Sequence, residues 1–220
     1  MLLMPKLVLP PDAPSLADAV AQAVRDGVAA GELVPSVTYS VYQLAELLDV
    51  SRSPAREGLL RLAEAGLIEI RRNRGFRVLP PQADDIEEII GIRVALEPPA
   101  ARDAAVSGTD AQHAAIRSAL SAMAAAPDDA SFWRADRELH DLLLHAAGRP
   151  RTAAIIERLR TTTALLGPPT TASGRSLAEI HAEHEPVVAA VLARDGAAAE
   201  AAMRTHLEAT RDLLVANLSA

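Results

Sequence analysis

Residues 44–78 read LAELLDVSRSPAREGLLRLAEAGLIEIRRNRGFRV, and they contain the clearest structural signals in the first part of the chain. It contains two short runs with helical apolar spacing, separated by a break at Val50-Ser51. Pro54 lies in the first turn of the second run, where its missing N–H costs nothing, and Gly66 ends that run. Two alternating apolar runs then flank a polar turn with Asn73 and Gly75. The stretch therefore predicts helix, turn, helix and β-hairpin.

A further helix is predicted before this stretch, from about Ser15 to Ala30, because apolar residues recur there at i, i+3 and i+4 and Gly31 follows. Ser40-Val-Tyr-Gln43 is a capping box that begins the next helix. Three helices and a hairpin form the element order of a winged helix-turn-helix. We therefore expect a DNA-binding domain at residues 1–80, with Pro80-Pro81 at the boundary.

The distribution of charge supports this interpretation. The chain has 220 residues, a net charge of -7 and a pI near 5.4, which argues weakly against nucleic-acid binding. However, residues 51–80 carry seven Arg and three Glu and are net positive, whereas the segments on either side are net negative. A local basic patch can bind phosphate in an acidic protein. A run of charged residues is more often only a solvent-exposed surface. Here, however, the element order, the capped turn and the Arg positions all favour DNA binding.

Composition excludes several other classes. The chain has no Cys, which excludes disulfide scaffolds and thiolate metal sites. Aromatic residues make up 2% of the chain, so a stacking platform for single-stranded nucleic acid is not expected. No apolar run approaches the roughly 18–20 residues that span a bilayer. Prolines interrupt the first residues, so we expect no signal peptide and a cytoplasmic protein.

Residues 81–220 are predicted to form an all-α bundle of about six helices, so the fold class is mainly α. Capping boxes at Thr109 and Ser176 begin two of these helices. The predicted ranges are Asp84 to Val106, Thr109 to about Ala125, Pro127 to Ala146, Arg151 to Leu166, Ser176 to about Ala193, and Asp195 or Gly196 to about Asn217.

Four residues of this bundle form a candidate metal site. Asp136 and His140 lie four residues apart on one helix face, and His184 and His206 lie within the last two helices. Three imidazoles and a carboxylate suit Zn, Ni or Mn better than Ca. The spacing alone leaves a second interpretation open, in which these are unrelated helical histidines and a surface Asp–His pair.

The stretch quoted first resembles the N-terminal domain of the GntR family of bacterial transcription regulators, whose signature is similar to LA..L.VSR.PVREAL..L...GL......RG..V over about residues 15–79. Two departures are Pro35-Ser36 in place of Pro-Gly and Gly58 in place of Ala, which should cost about 1 kcal/mol of helix stability. The resemblance implies DNA contacts by Arg52, Arg56, Arg74 and Gly75, followed by Ser51, Ser53 and Arg61.

The predicted helical bundle resembles the FCD effector domain of the FadR-type branch of the GntR family, over about residues 84–215. The matching strings are Asp136-Arg-Glu-Leu-His140, Glu183-His184 and Met203-Arg-Thr-His206-Leu207. The resemblance implies that Asp136, His140, His184 and His206 bind a divalent ion inside the bundle. Departures are Leu139 in place of Phe and Arg149 in place of Asn. His181 could compete as a ligand, but His184 has the family spacing to His206, and His113 and His145 are interpreted as surface or packing residues.

Arg93 precedes Glu97 by four residues, so an ordinary helix ion pair is one interpretation. The resemblance implies another, in which Arg93 faces the pocket and binds a small organic-acid effector beside the metal. We therefore predict a homodimeric, ligand-responsive repressor that binds a palindrome in double-stranded DNA. The alternatives are a regulator that senses the metal itself and a metal-dependent enzyme, for which the sequence shows no separate base motif.

Overall fold

A computed structural model of the protein describes residues 7–11, 13–35, 37–72, 74–79, 82–166 and 175–219. Four residues named in the predictions above lie outside this part of the chain, namely Ser36, Asn73, Pro80 and Pro81. The described chain divides into two compact units. The first contains the residues up to Gln82 together with residues 164–166, and the second contains residues 83–163 and 175–219.

The first unit is a winged helix-turn-helix, as predicted. Its elements in chain order are α1 (Leu16–Ala29), β1 (Thr38–Tyr39), α2 (Val41–Leu47), α3 (Arg52–Glu64), β2 (Ile68–Arg71) and β3 (Gly75–Val78). The strands pair antiparallel in the order β1-β3-β2. The sequence predicted only the hairpin of β2 and β3, because a two-residue strand such as β1 is too short to show an alternating pattern. Pairing of Tyr39 with Phe76, whose rings lie 5.7 Å apart, holds β1 in place.

The ends of these helices follow from local chemistry. The Ser15 side chain accepts the Asp18 N–H at the start of α1, and Gly31 follows α1 with a φ of +71°, a conformation that glycine adopts without strain. Ser40 accepts the N–H groups of Tyr42 and Gln43 and so begins α2 at the predicted place, although the return hydrogen bond from the Gln43 side chain that a full capping box requires is not made within the described residues. Ser51 precedes α3 with an extended backbone, but its side chain makes no capping hydrogen bond. The Ser51 hydroxyl is therefore not used by α3 itself.

Gly58 has a different role from the one that helix propensity assigns to it. It is buried where α3 packs on α1, and a Cβ at this position would lie 2.6 Å from the Ala17 carbonyl oxygen and 3.1 Å from the Ala21 nitrogen. Both are backbone atoms, which cannot move aside cheaply. The absence of a side chain at Gly58 therefore allows the two helices to approach closely, which offsets the propensity cost expected from the sequence.

The second unit contains six described helices, as predicted. They are α4 (Ala83–Ser107), α5 (Asp110–Ala124), α6 (Asp129–Ala146), α7 (Pro150–Leu166), α8 (Leu177–Leu192) and α9 (Gly196–Ser219). Thr109 and Ser176 form complete capping boxes, and Asp128 caps α6. Pro98 and Pro99 lie inside α4 without ending it.

The main core of this unit brings α4, α5, α6, α8 and α9 together around buried apolar side chains such as Ile116, Leu139 and Leu207. A smaller cluster attaches α7 through Ala153 and Ile156 to Ala100 and Leu144. The polar residues of the candidate site therefore lie on helices that a continuous apolar core holds in fixed relation. Among the described helices, none is long and apolar enough to cross a membrane.

We expect Gly58→Ala to lower the stability of the first unit, although alanine is the better helix former. Overpacking against backbone costs about 1–3 kcal/mol, whereas the propensity gain is about 1 kcal/mol. Circular dichroism during thermal or urea unfolding of the full chain measures the shift.

Gly91→Ala is the matched control, because Gly91 lies within α4 and an added Cβ would meet nothing within 4 Å. This variant should be neutral or more stable. A stabilising effect of Gly58→Ala equal to that of Gly91→Ala would contradict the close packing of α1 on α3.

Candidate metal centre and nucleic-acid interface

Three imidazoles meet in the interior of the second unit. His140 comes from α6, His184 from α8 and His206 from α9, and one ligand atom from each lies within 4.8 Å of the other two. All three side chains are buried. Nε2 of His140 and Nε2 of His184 are 3.2 Å apart. The structure thus brings together three of the four residues that the sequence singled out as metal ligands.

The other ring nitrogen of each histidine is held by a hydrogen-bond acceptor. Nδ1 of His140 donates to Glu97 Oε2, Nδ1 of His184 donates to the Ile180 carbonyl oxygen at 2.8 Å, and Nδ1 of His206 donates to Glu183 Oε2 at 3.0 Å. A carbonyl or carboxylate oxygen can only accept, so each Nδ1 carries a proton. In a neutral ring Nε2 then has a free lone pair, and imidazoles held by an outer acceptor in this way are those that bind a metal.

The protonation of the site fits a cation at its centre. Burial, with the nearby Arg160 guanidinium, lowers the pKa of His140 to about 4. Burial and the other two histidines lower the pKa of His206 well below its ordinary value. These two rings are therefore neutral at pH 7. Two nitrogens that each lie about 2.1 Å from a zinc-like ion are roughly 3.0–3.4 Å apart at ordinary coordination angles. The 3.2 Å between Nε2 of His140 and Nε2 of His184 fits this range.

Asp136, the fourth predicted ligand, lies at the edge of the His140–His184–His206 cluster. Its Oδ1 is 3.2 Å from Nε2 of His184, and its Oδ2 accepts a hydrogen bond from Arg160. Burial alone would raise the pKa of Asp136, but Arg160 and the His184 contact hold it well below its ordinary value. Asp136 is therefore an ionised carboxylate with one oxygen directed to the cluster and the other to a guanidinium.

Two further carboxylates link the histidines to arginines. Glu97 accepts from both Arg93, at 2.7 Å from Nε to Oε1, and His140. Burial works to raise the pKa of Glu97, yet Arg93 and His140 lower it below its ordinary value. Glu183 contacts Arg175 and His206 in the same way, but it is only half-buried, and burial raises its pKa. Arg93 is thus a buried ion-pair partner, unlike an ordinary surface pair of a helix.

The sequence interpretation did not include Glu97, Glu183, Arg160 or Arg175 in the site. Glu97 stands four residues after Arg93 and Glu183 directly precedes His184, so both could have been found by asking which acceptors orient the predicted ligands. Arg160 and Arg175 carry no such local signal, because α7 and the segment before α8 reach the site only through tertiary packing.

The other histidines have separate surroundings. His181 is 3.9 Å from Glu185 on α8 and is not part of the three-imidazole cluster, in agreement with its predicted peripheral place. His113 is buried and its Nε2 lies 2.9 Å from the Ala104 carbonyl oxygen, so it is a packing residue with a hydrogen-bond partner. His145 is exposed and contacts Asp141 one turn earlier.

The predicted DNA-contacting residues of the first unit fall into two groups. Ser51, Arg52, Ser53 and Arg56 are exposed at the start of α3, and Arg74 is exposed in the turn between β2 and β3. Within the described part of the chain, no ion pair holds Arg56 or Arg74. These side chains have the exposure that contact with bases and phosphates at the end of a recognition helix requires.

The second group has contacts inside the unit. Arg61 pairs with Asp18 of α1 and with Glu57 at 2.6 Å, which makes it a tie between α3 and α1. Gly75 has a φ of +109°, and a Cβ there would overlap the Tyr39 carbonyl oxygen, so the close approach of β3 to β1 accounts for glycine at this position. Arg71 and Arg77 both pair with Glu69 on the hairpin.

Comparison with known proteins identifies both units. Residues 16–78 match the family described as bacterial regulatory proteins, gntR family, and residues 88–209 match the FCD domain. The HTH-type transcriptional regulator LutR of Bacillus subtilis is 30% identical over 210 residues, which cover 84% of this chain and 94% of LutR. The HTH-type transcriptional repressor NanR of Citrobacter rodentium is 31% identical, over 80% of this chain and 75% of NanR.

The fold is shared with solved structures. E. coli McbR/YncC superposes with a TM-score of 0.65 at 22% identity, covering 91% of this chain and 97% of that one. The two family matches identify a DNA-binding transcription regulator whose helical unit is an FCD domain. The chain belongs to the GntR family, with a C-terminal FCD domain of the FadR-type branch.

Glu183→Gln should weaken metal binding while leaving the fold intact. The amide keeps the size of the side chain but loses the charge that supports the His206 ring as a ligand. Mutation of such an outer partner typically reduces metal affinity about 10–100-fold. Isothermal titration with zinc or nickel in the full chain measures the change.

Glu185→Gln is the matched control, because Glu185 is exposed two residues later on the same helix. Its metal affinity should equal that of the wild type. An unchanged affinity of Glu183→Gln would contradict the orienting role of Glu183.

Proposed function

We propose that the chain is a repressor that binds a palindromic operator as a homodimer, and that a small carboxylate bound next to a divalent ion modulates it. One observation carries the proposal: one ligand atom from each of three buried imidazoles lies within 4.8 Å of the other two, in the unit that follows the DNA-binding unit. The proposed division places DNA binding in residues 1–80 and effector binding and dimerisation in residues 81–220. A DNA-bound role places the protein in the cytoplasm.

The proposed DNA contacts come from the exposed group at α3 and the hairpin: Ser51, Arg52, Ser53, Arg56 and Arg74. Arg61 and Gly75 belong to the predicted set, but their internal contacts favour a structural role for both. Arginine suits bidentate contact with guanine or phosphate. Two such surfaces in a dimer would meet half-sites about 34 Å apart, which is one turn of DNA.

The proposed metal ligands are His140, His184 and His206, with Oδ1 of Asp136 as the fourth. Nitrogen and carboxylate donors without thiolate favour zinc, nickel or manganese. When bound, the ion supplies a Lewis acid that can hold a carboxylate oxygen. The chain itself supplies the acceptors that fix the ligand rings and the guanidinium groups that attract an anion.

Three arginines, of which Arg93 and Arg175 are buried and Arg160 is mostly buried, support an anionic effector at this centre. Arg93 is the predicted carboxylate-binding residue, although Glu97 already occupies its Nε. Arg160 and Arg175 each have a buried Nε without a hydrogen-bond partner in the described part of the chain. A buried unpaired donor is costly, so a ligand oxygen at these positions would be stabilised. We propose that Arg160 and Arg175 join Arg93 in binding the effector.

The sign of regulation rests on relatives. NanR and RspR are named repressors, and both align with about four-fifths of this chain. We therefore propose repression that the effector relieves. Such relief requires that the effector bind the DNA-competent and DNA-incompetent states unequally. The alternative is a regulator in which the metal itself is the effector. If no anion binds, the three-imidazole cluster supports metal sensing as well as it supports carboxylate sensing. Family membership does not support an enzyme.

Arg52→Ala together with Arg56→Ala should abolish sequence-specific DNA binding without changing helical content. Both side chains are exposed, so their removal uncovers no core. A duplex that the wild-type chain selects from a random-sequence pool is the probe, and fluorescence anisotropy measures binding. Arg117→Ala with Arg137→Ala is the matched control, since it removes the same charge from exposed positions of the second unit. Specific binding retained by the first variant would exclude α3 as the recognition element.

Titration of DNA release, first with metal alone and then with small carboxylates, separates the two effector hypotheses. DNA release is titrated with zinc, nickel or manganese alone, and then with a panel of small carboxylates at saturating metal. If the effector is a carboxylate, the metal alone should leave the complex intact and one acid should release it. Release by metal alone would contradict carboxylate sensing and support metal sensing. His140→Ala should abolish the metal-dependent response in either case.

A further inference from the structure

One predicted DNA-contacting arginine is held by an aromatic side chain. The Arg52 guanidinium carbon lies 3.9 Å from the centre of the Tyr42 ring, and Nη1 of Arg52 donates a hydrogen bond of 2.9 Å to the Tyr42 hydroxyl. Tyr42 stands in the first turn of α2, and Arg52 is the first residue of α3. The contact therefore crosses the turn of the helix-turn-helix.

The exposure of Tyr42 shows that core packing does not explain its contact with Arg52. The Tyr42 side chain is among the exposed large hydrophobic residues, with 61% of its surface accessible. Its removal would uncover almost no apolar core. A cation–π contact at an exposed site contributes little beside the stability of a domain. The value of the contact therefore lies in what it does to Arg52.

A free arginine side chain loses much of its rotamer entropy when a contact fixes it. Tyr42 fixes the Arg52 guanidinium before any ligand arrives. It accepts one of the five N–H donors and leaves the others available. Two-point contact with the O6 and N7 atoms of guanine needs two donors in a fixed plane. The stacked guanidinium thus keeps the donors that recognition uses and has already lost the freedom that recognition would remove.

We propose that Tyr42 is a positioning residue for DNA recognition, which holds Arg52 in the orientation that reads a base pair. The inference rests on the proposed role of Arg52 in DNA binding. It predicts that Tyr42 contributes to discrimination between sequences, and that it does so through Arg52 alone.

The test is a double-mutant cycle in the full chain. The probes are the duplex that the wild type selects from a random-sequence pool and a scrambled duplex of the same composition. Tyr42→Ala should bind the selected duplex about five- to tenfold more weakly, since it loses both the cation–π contact and the hydrogen bond. Its binding to the scrambled duplex should be unchanged. Tyr42→Phe keeps the stacking ring, so its loss should be smaller, about two- to threefold.

The double variant carrying Tyr42→Ala and Arg52→Ala should bind like Arg52→Ala alone. Equal binding by Tyr42→Ala and the wild type, tighter binding by Tyr42→Ala, or an equal loss on both duplexes would overturn the inference. Losses that add in the double variant would also overturn it, because Tyr42 would then act independently. If Arg52→Ala itself binds like the wild type, the proposed recognition surface fails first and the role of Tyr42 fails with it. Unfolding midpoints of all variants should match.

Discussion

The second unit depends on one constraint, which is that three imidazoles lie together where water is excluded. Burial keeps His140 and His206 neutral, and Nδ1 of each ring of the cluster donates to an acceptor outside the cluster. The Nε2 lone pair of the neutral His140 ring then lies 3.2 Å from Nε2 of His184. A cation at this centre would be bound by such lone pairs.

The charges around this centre follow from the same constraint. Glu97, Glu183 and Asp136 each contact one ring of the cluster, and each is paired with an arginine: Arg93, Arg175 and Arg160 respectively. In each of the three ion pairs the carboxylate charge cancels the guanidinium charge. A divalent ion would therefore add a net positive charge to a buried region. An anionic ligand would offset that charge, which is why a metal and an organic acid form a consistent pair here. The arrangement unites α4, α6, α7, α8 and α9.

The sequence predicted the local features well and the tertiary contacts less well. Apolar spacing and caps such as Thr109 and Ser176 gave the helices, because these signals act within a few residues. The strand β1 was missed, since its two residues are ordered by pairing with β3. The roles of Gly58 and Arg61 depend on α1, and Arg160 reaches Asp136 across 24 residues. The spacing of residues along the sequence does not predict such contacts. The structure also separates the arginines of the net-positive segment 51–80 into two kinds. Arg71 and Arg77 pair with Glu69, whereas Arg74 stays exposed.

The proposed metal site requires that the histidine cluster bind an ion through imidazole nitrogen. X-ray absorption spectroscopy of the full chain loaded with one equivalent of zinc can detect this, because the scattering pattern of imidazole rings differs from that of carboxylate or water. We expect a first shell at about 2.0–2.1 Å with the outer-shell signature of three imidazoles. A spectrum with oxygen ligands alone, or with zinc spread over weak surface sites, would contradict it.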